Sequence, residues 1–291
     1  MHAYLIEAHK SDYTLEILLK LLDDDRNDIF IHMDKKNDTF NENYFCNLLK
    51  KSNVYFTERI NVNWGAYSQI EAELILLETA INHRKYEYFH LLSGQDLPIK
   101  SQDYIHNFFH QNEGREFVRF QNSEFQQNDR VSYFHTFQEI LPRDNRFLNR
   151  INQIFLNIQK FLGIKRNKNI IFQKGTNWFS ITSDLAQYVL DSRSWIRKTF
   201  KYTFCADEIF LQTLIINSEF KDRLYNKEFN NDLISIMRLI DWDRGAPYTF
   251  ELKDIDEIAS SSMLFARKFD ASTDRDIIEK IYKQISMEQN L

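Results

Sequence analysis

Glycine and proline are scarce in this chain, with six and three residues among 291. Few segments alternate polar and apolar residues, and a protein built from many tight hairpins needs both that alternation and those turn formers. The scarcity therefore argues against an all-β sandwich. With 43% hydrophobic residues, the chain can bury one large core, and we expect a helix-rich α/β protein that forms a single domain over residues 1–291.

Cysteine is scarce as well. Cys46 and Cys205 lie far apart, without a CxxC motif or a histidine at metal-ligand spacing, which argues against a disulfide framework and a cysteine-based metal site. The formal net charge is only −5, so the chain lacks the electrostatic footprint of a nucleic-acid-binding protein. Any bound phosphate must be held by a few local cations.

Long hydrophobic runs are also missing. No stretch approaches the ~20 apolar residues of a transmembrane helix, and the start MHAYLIEAHK lacks the pattern of a signal peptide. We therefore expect a cytoplasmic protein, either free or held peripherally on the inner face of the plasma membrane. Residues 147–172 mix aromatic, aliphatic and basic side chains. Packing into the core is the favoured interpretation of this run, and an interfacial helix is the alternative.

The first part of the chain alternates strand and helix patterns. Residues 3–8, 28–33 and 54–57 are short apolar runs typical of buried strands, and Ser11-Asp12 caps a helical pattern that reaches Leu22. This alternation predicts a mostly parallel sheet flanked by helices.

Later segments extend the same pattern. Further predicted elements are a helix at 67–82, a strand at 86–92, a helix at 101–110, a strand at 116–120, an exposed turn at 174–179, a helix capped by Ser183, a helix at 209–216 opened by Asp207 and Glu208, and charged helical segments around a motif at 264–270. His9, Asp34 and Asp96 each follow a predicted strand. Since ligands of open α/β sheets bind at the carboxyl ends of strands, these three residues mark a candidate site.

A metal site has weak support. Many sugar transferases hold a divalent cation with an Asp-x-Asp motif after a central strand, but the loop here reads SGQD and offers only Asp96. Asp241 and Asp243 form the alternative pair, and a turn in which these carboxylates meet Arg238 or Arg244 is the favoured interpretation. The Asp23–Asp25 run is interpreted as a solvated turn, and His106 with His110 as structural residues.

Seven stretches, in order, resemble the Core-2/I-branching glycosyltransferase family, which includes mucin-type β-1,6-N-acetylglucosaminyltransferases and peptide O-xylosyltransferases. The stretches are IHMDKK, VNWGAYSQIEAEL, LLSGQDLPIKS, GTNWFSIT, ADE, DWDRGAPYTF and LFARKFD. The resemblance implies a GT-A type fold, a UDP-sugar donor, inversion at the anomeric carbon and no metal or other cofactor. It also implies a nucleotide-binding half at 1–120 and an acceptor-binding and catalytic half at 121–291.

Glu208 matches the catalytic glutamate of that family and would act as the general base. A carboxylate beside Asp207 and Phe210 can have its proton affinity raised toward the working pH. From the residues alone, a helix cap is the favoured interpretation of Asp207 and Glu208, since acids favour the first turn; the resemblance favours the base.

Arg267 and Lys268 match the basic pair that contacts the diphosphate in the family. Fixed cations there would replace the missing metal, and a guanidinium can bind phosphate oxygens in a bidentate way. A basic pair is commonly a solvated surface feature, but the flanking Phe265 and Phe269 indicate partial burial.

The remaining matches concern the ligand pocket. The resemblance assigns the nucleotide to His9, Asp34, Lys36, Trp64 and Gly65. It assigns the sugar and acceptor to Asp96, Asn177, Trp178, Asp207, Arg130 and Tyr133, where aromatic faces would stack on pyranose rings.

The preferred function is transfer of N-acetylglucosamine from a UDP-sugar to a glycan or lipid-linked oligosaccharide, in surface polysaccharide synthesis. The alternatives are a xylosyltransferase of the same family, a non-catalytic binding module that retains the fold, and a metal-dependent transferase using Asp241 and Asp243. Residues 121–173 match the family poorly, so the acceptor stays open.

Overall fold

A computed structural model describes residues 1–122, 125, 129–139 and 146–288, with side chains of 146–149 excepted. The strands of the described residues are β1 (His2–Ala8), β2 (Asn27–Met33), β3 (Asn53–Phe56), β4 (Tyr88–Ser93), β5 (Asp96–Pro98), β6 (Phe117–Phe120), β7 (Gly175–Thr182), β8 (Arg238–Ile240) and β9 (Phe265–Arg267). The α-helices of the same ranges are α1 (Tyr13–Leu22), α2 (Glu42–Cys46), α3 (Tyr67–His83), α4 (Gln102–Gln111), α5 (Asp129–Ser132), α6 (Arg146–Phe161), α7 (Ser183–Asp191), α8 (Arg193–Phe200), α9 (Phe210–Ile216), α10 (Ile255–Ser260) and α11 (Arg275–Glu288).

A six-stranded sheet forms the centre of the molecule, with strand order β3-β2-β1-β4-β7-β6. Strands β3, β2, β1 and β4 run parallel to one another, whereas β7 is antiparallel to both β4 and β6. This arrangement confirms the predicted α/β fold with a mostly parallel sheet. Strand β7, which comes after residue 120, lies between β4 and β6. The division into a nucleotide-binding half at 1–120 and an acceptor-binding and catalytic half at 121–291 stays a prediction.

Helices cover both faces of the sheet. On β1, Leu5 packs in one hydrophobic cluster with α3, and Ile6 packs in a second cluster with α1 and α11. Every residue of β2 is buried, which explains why parallel strands appear in the sequence as continuous apolar runs. Each fully buried aliphatic side chain of this kind contributes about 1.5–3 kcal/mol.

The predicted helix starts depend on side-chain caps. The Asp12 carboxylate accepts hydrogen bonds from the backbone N–H groups of Thr14 and Leu15, at 3.1 and 3.3 Å, and Ser101 caps α4 through the N–H of Tyr104. Both caps satisfy amides that the first helical turn leaves unpaired. The prediction that Ser183 caps the next helix is wrong by one residue, because Thr182 occupies the cap position of α7.

Residues 174–179 were predicted as an exposed turn, and this prediction is wrong. They begin β7, which inserts between β4 and β6 and buries Trp178 and Phe179. Gly175 explains the polar, turn-like start of this strand: a Cβ there would lie 1.7 Å from the carbonyl oxygen of Arg119. Glycine is needed for close approach of two backbones and not for a turn.

The run at 147–172 also departs from the favoured prediction of core packing. Helix α6 buries Leu156 and Gln159, but Ile154, Ile158 and Phe161 are exposed. Among the described side chains of this helix, apolar residues therefore face solvent as well as the body of the protein.

A small second sheet, β5-β9-β8, packs beside the main one. Arg238 of β8 is buried and donates hydrogen bonds to the backbone carbonyls of Leu91 and Phe179, at 3.0 and 2.7 Å. This guanidinium joins the small sheet to β4 and β7, and so fixes β9 near the strand ends. Within the described ranges, no helix has both the length and the apolar character needed to cross a bilayer.

Candidate active site

The carboxyl ends of β1, β2 and β4 meet at one edge of the sheet. There the Asp34 N–H donates to the Ala8 carbonyl at 2.8 Å, and the Gly94 N–H donates to the Glu7 carbonyl at 2.9 Å. His9 and Asp34 directly follow β1 and β2, and Asp96 follows β4 by three residues. The predicted position of these three residues at strand ends is confirmed.

Lys36, Trp64 and Gly65, three of the residues predicted to hold the nucleotide, lie in or against the turn at 63–65. Lys36 Nζ donates to the Val62 carbonyl at 2.5 Å and lies 3.3 Å from the Asp34 carboxylate. The Trp64 ring is 49% exposed and meets Phe204 edge-on. The site therefore places a half-exposed aromatic ring beside a carboxylate and an ammonium group.

Gly65 has a backbone conformation that the turn requires. Its φ is +73°, and a Cβ would lie 2.6 Å from Phe204 Cε2. Its carbonyl accepts the N–H of Cys205 at 2.9 Å. This bond ties the turn to the segment that carries Glu208.

Asp96, Arg267 and Trp178 form a second group. Asp96 and Arg267 are directly opposed in the β5–β9 pairing, and Arg267 Nε lies 3.5 Å from Asp96 Oδ1. The guanidinium also stacks on Trp178, with 4.0 Å between Cζ and the ring centroid. Its side chain is 13% exposed, so the burial inferred from the flanking phenylalanines is confirmed. Burial lowers the pKa of Arg267, and Asp96 opposes that shift.

Lys268 extends the basic pair beyond the end of β9. Its backbone bonds to Tyr248 and Phe250, at 3.3 and 2.9 Å, while its side chain is only half-buried. Partial burial and then the nearby charges of Lys10 and Lys268 lower the pKa of His9. Lys268 thus lies within electrostatic range of His9, the residue that follows β1.

Glu208 lies on a 3-10 turn, Ala206–Glu208, just before α9. Its carboxylate is 3.0 Å from Arg130 and 3.3 Å from Lys174, and the side chain is 36% exposed. The helix-cap alternative fails, because α9 starts at Phe210 with no side-chain cap. Glu208 is therefore held by two cations and open to solvent. Lys174 was not identified from the sequence.

Buried acids lie behind this turn. Burial, and then repulsion by Glu208, raises the pKa of Asp207 to about 7. Burial, followed by Asp207, raises the pKa of Glu7 to about 8. Burial, followed by the charges of Glu7 and Asp207, raises the pKa of Glu73. A raised pKa thus belongs to Asp207, the residue directly before Glu208.

Sequence reasoning missed Glu7 and Glu73, although a signal was present. Glu73 is three residues after Ile70 and four before Leu77, both of which are buried on α3. That spacing predicts an inward-facing side chain. A carboxyl group on the core face of an amphipathic helix marks a buried titratable group.

Of the residues predicted to bind the sugar and acceptor, Tyr133 and the pair Asn177 and Trp178 are placed less favourably. Tyr133 is buried, with the Lys160 ammonium 5.6 Å from its ring centroid. Asn177 and Trp178 are adjacent on β7, and successive side chains of a strand point to opposite faces. Arg130, in contrast, reaches Glu208 directly.

Asp241, one of the two aspartates of the alternative metal site, forms an ion pair with an arginine. Asp241 pairs with Arg244, which also lies 2.7 Å from Asp254, so the predicted turn is confirmed. Asp23 likewise accepts backbone N–H groups of 50–52, and His106 bonds to Asn27 at 2.8 Å. Among the described residues, no group of three or more His, Cys, Asp or Glu side chains could hold a metal ion.

Fold and site together define an α/β protein with a polar, partly cationic site at the carboxyl ends of its parallel strands. The chain belongs to the Core-2/I-branching enzyme family, whose model matches residues 2–263. This is the family that the seven sequence stretches resemble.

The similar proteins include two curated xylosyltransferases. Xylosyltransferase sqv-6 of Caenorhabditis elegans is 25% identical over 279 residues, covering 86% of this chain and 32% of that protein. The protein of the same name in Caenorhabditis briggsae is 24% identical over 284 residues, covering 88% and 33%. The chain thus spans about a third of the length of these relatives. The crystal structure of mouse xyloside xylosyltransferase 1 in its apo form aligns with a TM-score of 0.37 and 9% identity, over 91% of this chain and 97% of that one.

Proposed function

We propose that this chain transfers a sugar from a UDP-sugar to a hydroxyl group of a glycan, with inversion and without a metal ion. The observation that carries the proposal is the position of Glu208, a solvent-accessible carboxylate whose turn is hydrogen-bonded to Gly65. A base for the acceptor and a turn for the nucleotide are thereby held next to each other.

In the proposed reaction, Glu208 takes the proton of the acceptor hydroxyl as that oxygen attacks the anomeric carbon. The bond between this carbon and the diphosphate oxygen breaks on the opposite face, so the configuration inverts and UDP leaves. Lys268 would neutralise the developing phosphate charge. Arg267 would support it from β9, although Asp96 already engages its guanidinium.

UDP-xylose is the first donor to test, since both curated relatives are named xylosyltransferases. UDP-N-acetylglucosamine, preferred from the sequence, is the second. Donor choice depends on pocket shape around one substituent. For the acceptor we propose a glycan or lipid-linked oligosaccharide of surface polysaccharide synthesis, with a cytoplasmic enzyme touching the inner face of the plasma membrane.

A thermal-shift panel tests the proposal, because a ligand that binds only the folded state raises Tm. UDP, UDP-xylose and UDP-N-acetylglucosamine should each raise Tm with EDTA present, and ADP should serve as the unmatched control. Release of UDP in the presence of an acceptor then tests transfer. No shift with any uridine nucleotide would contradict the proposal, and a shift abolished by EDTA would favour the metal-dependent alternative at Asp241 and Asp243. Binding without turnover on any glycan would favour the non-catalytic module.

A further inference from the structure

Helix α6 and the first residues beyond its end present an apolar surface to solvent. Ile154, Ile158, Phe161 and Leu162 recur at helical spacing and are 58%, 50%, 89% and 61% exposed, and Ile164 is 41% exposed. These five residues are called the α6 face below. A surface helix normally turns its polar residues toward solvent. The α6 face instead turns apolar residues toward solvent.

The inner side of α6 is firmly attached, so the α6 face cannot turn inward. Gln159 accepts the Phe134 N–H at 2.8 Å and donates to the Phe134 carbonyl at 2.9 Å. Leu156 is buried beside it, and Phe155 contacts Phe137. These contacts fix the rotation of the helix about its axis.

The end of the helix is fixed as well. Gly163 has a φ of +66°, and its N–H donates to the Lys160 carbonyl at 3.2 Å, while the Ile164 N–H reaches back to Gln159 at 3.0 Å. This is the Schellman pattern of helix termination. It holds Ile164 against the helix end as part of one continuous apolar surface.

The charged side chains of residues 150–168 have one sign. Arg150, Lys160, Lys165 and Lys168 are exposed, and the sequence has no Asp or Glu between residues 146 and 183 although the whole chain carries −5. Lys160 pairs with Asp129 at 2.5 Å. The other exposed cations beside the α6 face are Arg150, Lys165 and Lys168.

We propose that the α6 face docks on an anionic lipid bilayer, with its apolar side chains at the level of the headgroups and its flanking cations on lipid phosphates. A second copy of this chain is a poorer occupant, since two such faces would bring like charges together. The helix, at 16 residues, is too short and too polar to span the bilayer.

Docking here would orient the candidate active site. Lys160 of α6 bonds to Asp129 of α5, and the next residue, Arg130, contacts Glu208 at 3.0 Å. A bound membrane would thus lie beside the element that touches the proposed base. This consequence, access to a lipid-linked acceptor, rests on the proposed function, whereas the docking itself does not.

Co-sedimentation with vesicles tests the docking. The full chain should bind vesicles of phosphatidylcholine and phosphatidylglycerol in equal parts, bind pure phosphatidylcholine much more weakly, and dissociate as salt is raised. Replacing Phe161→Ser and Leu162→Ser together should lower binding at least about tenfold. Its matched control is Met287→Ser, an exposed apolar residue on α11, which should leave binding unchanged.

A charge-reversal pair separates electrostatics from burial. Lys165→Glu with Lys168→Glu should also lower binding at least about tenfold, whereas Lys50→Glu with Lys51→Glu, an exposed pair elsewhere, should not. The UDP-induced rise in Tm is measured in every variant and should persist, so that a failure of docking is distinguished from a failure of nucleotide binding. Absence of binding to anionic vesicles, or equal loss in the matched controls, would overturn the proposal. A dimer in sedimentation velocity that Phe161→Ser dissolves would assign the face to a second copy instead.

Discussion

Gln69 and Asp207 are joined by a hydrogen bond from Gln69 Nε2 to Asp207 Oδ2 at 3.1 Å. The side-chain carbonyl of the same Gln69 accepts the N–H of Gly65. One amide at the start of α3 therefore links the proposed nucleotide turn to the residue that precedes Glu208.

Replacing Gln69→Leu keeps the side-chain size but removes both bonds. We expect UDP affinity and turnover to fall together by about tenfold, since a buried partner left unsatisfied costs about 1–3 kcal/mol. Gln187→Leu, at an exposed position of α7, is the control. Titration with UDP and initial rates measure the effect, and equal behaviour of the two variants would show that Gln69 does not couple the turn to the site.

Replacing Glu208→Gln should remove the proposed base and leave the shape of the site intact. Turnover should fall by about 10²–10⁴-fold, the usual contribution of general base catalysis, while the UDP-induced rise in Tm should stay close to that of the parent. The exposed Glu113→Gln is the matched control. Full activity in Glu208→Gln would assign the base to another residue.

The two basic residues at 267 and 268 should behave differently. Lys268→Ala removes a half-buried ammonium and should weaken UDP binding by about tenfold with little change in the Tm of the free protein, since a charged hydrogen bond contributes about 1.5–3 kcal/mol. Arg267→Ala leaves Asp96 buried without its cation, so the free energy of unfolding should fall by about 3–5 kcal/mol. Denaturant melts and UDP titrations separate the effects. If Lys268→Ala binds UDP as well as the parent, its phosphate role is excluded.

Gly65 offers a test with a matched glycine. Gly65 and Gly114 have φ of +73° and +77°, but a Cβ on Gly114 meets nothing within 4 Å, whereas one on Gly65 would collide with Phe204. Both alanine variants should lose about 1–2 kcal/mol for the left-handed backbone. Gly65→Ala should lose more stability and should also weaken UDP binding. Equal losses would mean that Phe204 moves aside freely.

The buried acids predict a pH dependence. The pKa of Asp207 in the folded state, about 7, exceeds its ordinary value of 3.8, so the folded state binds more protons in between. Its contribution to stability is complete below about pH 4 and is lost as pH rises toward about 7. Asp207→Asn should therefore match the parent near pH 4 and exceed it near pH 8, by on the order of 4 kcal/mol.

Denaturant melts across this range measure the difference. The exposed Asp25→Asn is the control and should follow the parent at every pH. A parent whose stability rises between pH 5 and pH 8 relative to Asp207→Asn would contradict the assignment.

Much of the fold could be predicted because local patterns and long-range packing agree. Strands β1 and β2 are buried on both faces, so their apolar runs are unambiguous, and Asp12 and Ser101 form caps within three residues of their own position. The segment 174–179 could not be predicted. Its polar start resembles a turn. The glycine at 175 is explained by the close approach of the Arg119 backbone, which is a tertiary contact.

The sequence by itself determined the alternation of strand and helix, the strand-end position of His9, Asp34 and Asp96, and the family resemblance, because each depends on residue types at fixed spacing along the chain. The tertiary structure alone decided which charges meet. Lys174, directly before β7, and Arg130, on α5, both contact Glu208. Arg267 pairs with Asp96 and is not a solvated cation. Glu7 lies within electrostatic range of Asp207. These partners are separated by many residues along the chain. The distance between them is set by the packing of the sheet and its helices, and no local sequence pattern encodes it.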